Sequence, residues 1–406
     1  MTDRGLRIAQ VAPPMESVPP ARYGGTERIV AELVTGLGRL GHAVTLFAAG
    51  DSTIDADLVA TVPKALRPAG FTGDPSGYLA ATIGQVVRRQ GDFDIIHGHL
   101  EWSNLMLARA TRTPFVGTFH GRLDQPFAAD ALADPLAGMV AISRAQAATH
   151  PAYPWAGVVY NGLSLEGAPF GADRTDALCF VGRIGPEKGV VDAIEVARLS
   201  GRPLRIAAKI GPSVQEREYA ETVFRPAMER ADVEFLGEIP GAERDALMAS
   251  SYALLMPGTW PEPFGLVAIE ALACGTPVIA RRAGALPEVI RDTIDGFLGD
   301  DPADLASLVK RVDELDRAAI RTAVLDRFSA SRMVEGYLEV YRRRLAGIGG
   351  SGRQATVVTV SDTVDSSTIG IPTMSASATS AAVAVMPSSE ARSSAAASSS
   401  SSRSSS

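Results

Sequence analysis

Two glutamates eight positions apart, Glu262 and Glu270, stand in the stretch WPEPFGLVAIEALACGTPVIA, residues 260–280. On one continuous helix, at 100° per residue, they would sit roughly 80° apart. The prolines forbid that arrangement. Pro261 and Pro263 flank Glu262, and a residue before proline is driven out of helical geometry. Glu262 therefore belongs to a loop that ends at Gly265, and Glu270 to the apolar helix beginning near Leu266. A carboxylate at such a helix mouth can accept hydrogen bonds from a neutral polyol such as a sugar. One a little over two turns deeper can accept a pair of hydroxyls such as those of a ribose. Their separation, roughly 12 Å if the helix ran throughout, fits the two ends of a sugar nucleotide. Glu270 could also be a plain solvent-facing helix residue. However, its neighbours Val267, Ala268, Ile269, Ala271 and Leu272 are apolar, so an acid there needs a partner.

A second set of residues suits the charge between those ends. In GRIGPEKG, residues 182–189, Arg183 and Lys188 are separated by Gly185 and Pro186, so both can curl over one spot and grip a diphosphate. Taken alone, the same loop reads as readily as a solvated charged turn. The helix mouth at Leu266 shifts the balance, because its amides supply a positive end to the same cleft. No metal is then required. Paired acids that could hold Mg²⁺ or Mn²⁺ are badly placed. DFD, residues 92–94, precedes a strand, and DDPAD, residues 300–304, reads as a helix start.

Near the start, YGGTERIV spans residues 23–30. Gly24 and Gly25 let the backbone approach a ligand closely, and Thr26 is expected to cap a helix opening at Glu27. That mouth is an anion site or an ordinary strand-to-helix turn. The motif is not G-x-G-x-x-G, so a dinucleotide fits it poorly. Asp51 nevertheless ends the second strand, where a ribose-binding acid would sit, and keeps that alternative open. His120 ends the strand in PFVGTFHG and is either a structural hydrogen-bonder or a sugar contact. In HGHLEW, residues 97–102, His97 is expected to pack or cap, whereas His99 and Trp102 could line an acceptor pocket.

These residues need a scaffold that brings strand ends together. Short apolar runs alternate with amphipathic helices along the chain, the pattern of parallel sheets with helical crossovers. Strands are expected over 6–12, 43–49, 94–99, 114–120, 138–143 and 157–160, with a helix over 27–40. A second series starts at ALCFVGRI, residues 177–184, and continues through LRIAAKI, VEFLGEI, YALLMPG and TPVIA. Two doubly wound Rossmann-like domains result, covering 1–165 and 166–330. A helix follows over 331–346, then a Ser- and Ala-rich tail over 347–406 that is expected to be disordered. Within the tail, 356–364 is a marginal strand at best. Ligands in such sheets bind outside the carboxyl ends of the strands, which is where the candidate residues fall.

Composition narrows the partners. Of the 406 residues, 46% are hydrophobic and 21% charged, and the net charge is −7. That balance suits a globular protein and argues against a general nucleic-acid binder. Cys179 and Cys274 are expected to be packed thiols in a reducing compartment. No signal peptide is apparent, and no stretch approaches the roughly 20 apolar residues that span a bilayer. A cytoplasmic protein is expected. Arg88 and Arg89 end an amphipathic helix, 77–90, that could rest on a lipid surface or be a solvated helix end.

YGGTE, YNGL (residues 160–163), GRIGPEKG and EPFGLVAIE, in this order, resemble the retaining family 4 glycosyltransferases over residues 6 to about 345. The resemblance implies the two-domain GT-B architecture, with the donor nucleotide held by the second domain and the acceptor by the first. The last helix would cross back to the first domain. Arg183 and Lys188 would bind the donor diphosphate, and Glu270 its ribose. Glu262 and the amides of Phe264, Gly265 and Leu266 would hold the donor sugar. Gly24 and Gly25 would approach from the other side, and His120 would touch the sugar near the reacting carbon. The loop 237–239, with Ile239, would receive the base. The tail departs from the family pattern.

The expected function is that of a metal-independent, cofactor-free transferase taking a sugar from a nucleoside diphosphate, UDP- or GDP-linked, to an unidentified acceptor. Retention would come from same-face attack, with the leaving phosphate oxygen taking the acceptor proton. A sugar-nucleotide epimerase, a catalytically silent sugar-nucleotide binder and a dinucleotide oxidoreductase are the rivals.

Overall fold

The computed structural model describes residues 5–22, 24–171 and 173–347. The tail from residue 348 on, including 356–364, lies outside them. Seven parallel strands form the first sheet: β1 (Arg7–Val11), β2 (Ala43–Ala49), β3 (Asp57–Val62), β4 (Ile95–Gly98), β5 (Phe115–Thr118), β6 (Met139–Ala141) and β7 (Gly157–Val158). Their spatial order is β3-β2-β1-β4-β5-β6-β7. Six more, also parallel, form the second: β8 (Leu178–Ile184), β9 (Leu204–Ile210), β10 (Val233–Gly237), β11 (Leu254–Met256), β12 (Val278–Arg281) and β13 (Gly296–Gly299). Here the order is β10-β9-β8-β11-β12-β13. Central strands such as IAQV and LCFV are apolar almost throughout because helices cover both faces of each sheet.

The same winding in both sheets decides where a ligand can go. Strand order reverses between β1 and β4 in the first sheet and between β8 and β11 in the second. Crossovers leave in opposite directions at such a point and open a crevice at the strand ends. Gly24 and Gly25 follow β1, Glu101 follows β4, Arg183 stands at the carboxyl end of β8 with Lys188 in the turn after it, and Glu262 follows β11.

The helix Gly25–Arg39 turns Ile29, Val30, Leu33, Val34 and Leu37 into the first lobe's core. It opens at Gly25, with Gly24 at the cap and no side-chain capping bond. Thr26 therefore sits inside the first turn and does not cap, contrary to the expectation from sequence. Two strands lie outside those expected. β3 is a half-exposed edge strand, and β13, GFLG, is short and glycine-rich. Each forms because the strand beside it, β2 or β12, offers an open ladder.

The closing helix, Ala330–Ala346, follows the second lobe in sequence but packs on the first. It buries Met333, Val334, Tyr337, Leu338, Val340 and Tyr341, each worth roughly 1.5–3 kcal/mol on full burial. Its crossing with the Gly25–Arg39 helix is tight. A Cβ at Gly36 would lie 2.5 Å from a Val334 methyl, so only glycine fits there. Both lobes belong to one compact unit of the chain, and one apolar cluster runs from Leu33 and Leu37 through Tyr337 and Phe328 to Phe264 and Ile269. Cys179 and Cys274 are buried free thiols, pushed up to about 12 by burial. Among the described residues no helix is long and apolar enough to cross a membrane.

Candidate functional site

A cavity of about 790 Å³ lies at the facing strand ends of the two sheets, within the roughly 300–1,000 Å³ usual for small-ligand sites. The structure brings to its wall the residues that the family resemblance assigns to the donor: Gly24, Gly25 and His120 from the first lobe, and Arg183, Lys188, Ile239, Glu262, Phe264, Gly265, Leu266 and Glu270 from the second. Gly25 and Leu266 face each other across it, 3.4 Å separating a Leu266 methyl from the place of a Gly25 Cβ.

On the second lobe, Gly265 takes a φ of 98° as the N-cap of the Leu266–Ala273 helix. Non-glycine residues rarely adopt that conformation, and it leaves the helix without a side-chain cap. The positive helix end thus opens on the cavity. Beside it, Lys188 Nζ lies 2.7 Å from Glu262 Oε2, to which Trp260 Nε1 also donates at 2.8 Å. The ammonium sits 4.2 Å from the centre of the Trp260 ring, an arrangement that adds cation–π attraction. Arg183 is held as well, 2.5 Å from Glu187 and 2.7 Å from Glu216. The two cations therefore do not stand open over one spot. Each is oriented by carboxylates that a phosphate group must share or displace.

Glu270 is 5% exposed and has the partners its burial demands. Arg28, from the first lobe, approaches its Oε1 at 2.6 Å, and Arg244 approaches the same oxygen at 2.9 Å. The shortest approach of each arginine is to Oε1. Arg28 and Arg244 both border the cavity, and neither follows from motif reading, because their meeting depends on how the lobes pack.

The first lobe contributes a residue that motif reading does not single out. Glu101 follows β4 with a φ of 51°, an uncommon and strained conformation for a side chain of this kind. Its carboxylate accepts from the backbone N–H groups of His120 and Gly121, each at 3.1 Å. Burial pushes its carboxyl up to about 7, against the opposing effect of those two amides. An acid directly after a strand, on the carboxyl edge, is the signal the sequence offers, although the histidines of HGHLEW are the more conspicuous groups there.

His120 Nε2 lies 2.9 Å from His99 Nδ1, and burial pushes the His120 imidazole down to about 3. His99 is itself fully buried and bonded to Gln10, so it does not line an acceptor pocket. Trp102 likewise packs on Phe119 and Phe127 away from the cavity. His97 packs, as expected, between Tyr341 and Thr118. Asp51 accepts from the Ala65 amide at 2.9 Å and does not border the cavity, which removes the feature that kept the dinucleotide alternative open. Asp301 caps the helix after it through the Asp304 amide, and Asp94 pairs with Arg7. Among the described residues no three His, Cys, Asp or Glu side chains gather as cation ligands.

Glu27, buried at the cavity wall, is pushed up from an ordinary 4.5 to about 7, chiefly by burial. The unfolded chain releases this proton first, so the stabilisation is full below 4.5 and is lost as pH rises to about 7. Urea denaturation should show wild type losing stability relative to Glu27→Gln across that interval. A constant difference between the two would count against the buried acid.

Comparison with known proteins places this geometry. The Glycosyltransferase Family 4 model matches residues 23–166, and the Glycosyl transferases group 1 model matches residues 170–320. D-inositol 3-phosphate glycosyltransferase of Frankia alni is 30% identical over 398 residues, covering 82% of this chain and 98% of that protein. An uncharacterized 41.2 kDa protein in the cps region of Klebsiella pneumoniae is 32% identical over 207 residues. That match takes in 46% of this chain and about half, 54%, of the relative. Among solved structures, AviGT4, a glycosyltransferase involved in avilamycin A biosynthesis, superposes with a TM-score of 0.62 at 26% identity, over 84% of this chain and 98% of that one. Anabaena HepE in complex with UDP and glucose shares the fold, with a TM-score of 0.63 at 20% identity, over 83% and 99%.

Two parallel α/β lobes with a cleft between their strand ends define a GT-B glycosyltransferase architecture. The chain belongs to glycosyltransferase family 4.

Proposed function

We propose that the protein moves a sugar from a nucleoside diphosphate, UDP- or GDP-linked, to a hydroxyl acceptor with retention of configuration. The observation that carries this reading is the convergence of Lys188, Glu262, the uncapped helix mouth at Gly265 and Glu270 on one cavity. Lys188, Arg183 and the helix end would take the diphosphate, Glu262 the sugar hydroxyls, and the Glu270 carboxylate the ribose. Ile239, after β10, would border the base. HepE, a relative in fold, binds UDP-glucose, which supports a nucleotide-sugar donor here.

In the transfer, an acceptor hydroxyl oxygen bonds to the anomeric carbon as the bond from that carbon to the diphosphate oxygen breaks. The acceptor proton passes to the departing phosphate oxygen on the same face, so no separate base is assigned. Negative charge grows on the diphosphate, and Lys188 with the helix mouth stabilises it more at the transition state than in the ground state. His120 and Gly25 approach the sugar from the first lobe. The lobes are tied across the cavity by Arg28–Glu270, and beside it Glu288 accepts from the Arg144 and Ala145 amides and the Tyr160 hydroxyl. Closing the lobes over a bound donor would exclude water and limit donor hydrolysis.

The test is a screen of purified protein against UDP-, GDP- and ADP-sugars. One nucleotide should raise the melting temperature, since bound ligand stabilises the folded state, and its release should then depend on an added acceptor. Interconversion of the sugar without nucleotide release would instead establish an epimerase, and binding without turnover a silent module. Because the proposal gives the diphosphate charge to protein cations, activity should persist in EDTA. Loss on chelation, restored by Mg²⁺ or Mn²⁺, would defeat that part.

A further inference from the structure

A continuous chain of buried hydrogen bonds runs from the cavity wall into the core of the first lobe. His120 Nε2 meets His99 Nδ1 at 2.9 Å, and His99 Nε2 meets Gln10 Oε1 at 2.8 Å. Gln10 Nε2 donates to the Tyr341 hydroxyl at 2.9 Å, and that hydroxyl lies 2.7 Å from His97 Nδ1. His97 Nε2 then reaches Thr118 Oγ1 at 2.8 Å. Gln10, His97, His99, Thr118 and Tyr341 are fully buried.

With the Gln10 amide oriented as in the structure, its two ends determine every proton in this chain. Its oxygen can only accept, so His99 carries its proton on Nε2. A neutral imidazole then has a bare Nδ1, which can only accept from His120 Nε2–H. On the other side, the amide nitrogen donates to Tyr341, whose hydroxyl proton must go to His97 Nδ1. Burial holds His97 and His99 well below the ordinary imidazole range, so a neutral ring with one proton is the form each adopts. Turning the amide over would reverse every donor at once. The chain is therefore all-or-none.

We propose that Gln10 and His99 are positioning residues that keep the His120 proton on Nε2 and so present Nδ1 to the cavity as a hydrogen-bond acceptor. This rests on the reading of His120 as a donor-sugar contact. His120 borders the cavity and its Nδ1 has no partner among the described residues. The ligand group it selects is a sugar hydroxyl able to donate, so a donor sugar deoxygenated or O-methylated at that position is a poor substrate. The far end of the chain is Tyr341 on the closing helix, which ties the tautomer to the docking of that helix.

The experiment is nitrogen-15 NMR of the full chain labelled at histidine, which has only five such residues. Long-range correlations distinguish Nε2–H from Nδ1–H. Wild type should show His120 as the Nε2–H form alone. In His99→Phe the form should become mixed, and kcat/KM should fall about tenfold in proportion to kcat. Gln10→Met, close in shape to glutamine, should do the same and provides the test should His99→Phe not fold. His120 protonated on Nδ1 in wild type, or unchanged on Nε2 in both folded variants, would overturn the proposal. A purely structural role would lower the melting temperature and leave the tautomer alone. Wild-type turnover in His120→Ala would instead overturn the sugar contact, while the NMR result still decides the proton.

Discussion

Replacing Lys188 with alanine should lower kcat/KM by about 10²-fold, the scale of losing one preorganised charge at a developing oxyanion. The side chain is placed by the turn Pro186–Lys188 after β8 and is only 22% exposed. Water therefore replaces it poorly. Its partner Glu262 carries the same expectation at a smaller scale, a fall of at least about tenfold for Glu262→Ala, roughly one hydrogen bond to a charged group. Because the two side chains form one ion pair, their effects should not add. The double variant should be about as slow as Lys188→Ala alone. Steady-state kinetics with thermal melting on each variant checks this. Wild-type kcat/KM in either folded single variant would remove the assignment of this pair to the donor.

Glu270→Ala should weaken nucleoside diphosphate binding by at least about tenfold, since a hydroxyl bonded to a carboxylate contributes roughly 1.5–3 kcal/mol. It should also lower the melting temperature. Arg28 and Arg244 converge on Glu270 Oε1 from opposite sides of the cleft, and without the acid two guanidinium groups face each other with no counter-charge. The cost should be about 2 kcal/mol. That is below the roughly 3–5 kcal/mol of a fully buried pair, because the arginine side chains remain 28% and 22% exposed. Arg28→Ala should be milder in stability, as Arg244 still neutralises the acid, yet it cuts the cross-lobe pair. Calorimetric titration with UDP and GDP measures the first effect. An unchanged Kd in Glu270→Ala would place the ribose elsewhere.

How much of the fold and site is readable from the chain depends on the range of each interaction. Pro261 and Pro263 exclude Glu262 from a helix by local sterics, and the apolar run after Gly265 makes one. The strand ends carrying Arg183, Lys188 and His120 are set by short apolar runs whose burial needs no partner to be named. β3 and β13 are not legible in this way, because an edge strand and a GFLG stretch take their pairing from a neighbour. Neither is Glu101, whose role depends on two amides that arrive from the end of β5.

The sequence by itself determined the two wound sheets and the positions that reach their carboxyl ends, because period and backbone sterics act over a few residues. Tertiary structure alone decided the partners: Glu262 for Lys188, Arg28 and Arg244 for Glu270, His99 and Gln10 behind His120. A charge or polar group taken from water must be matched where it lands, and only the packing of the lobes and the closing helix determines what stands there.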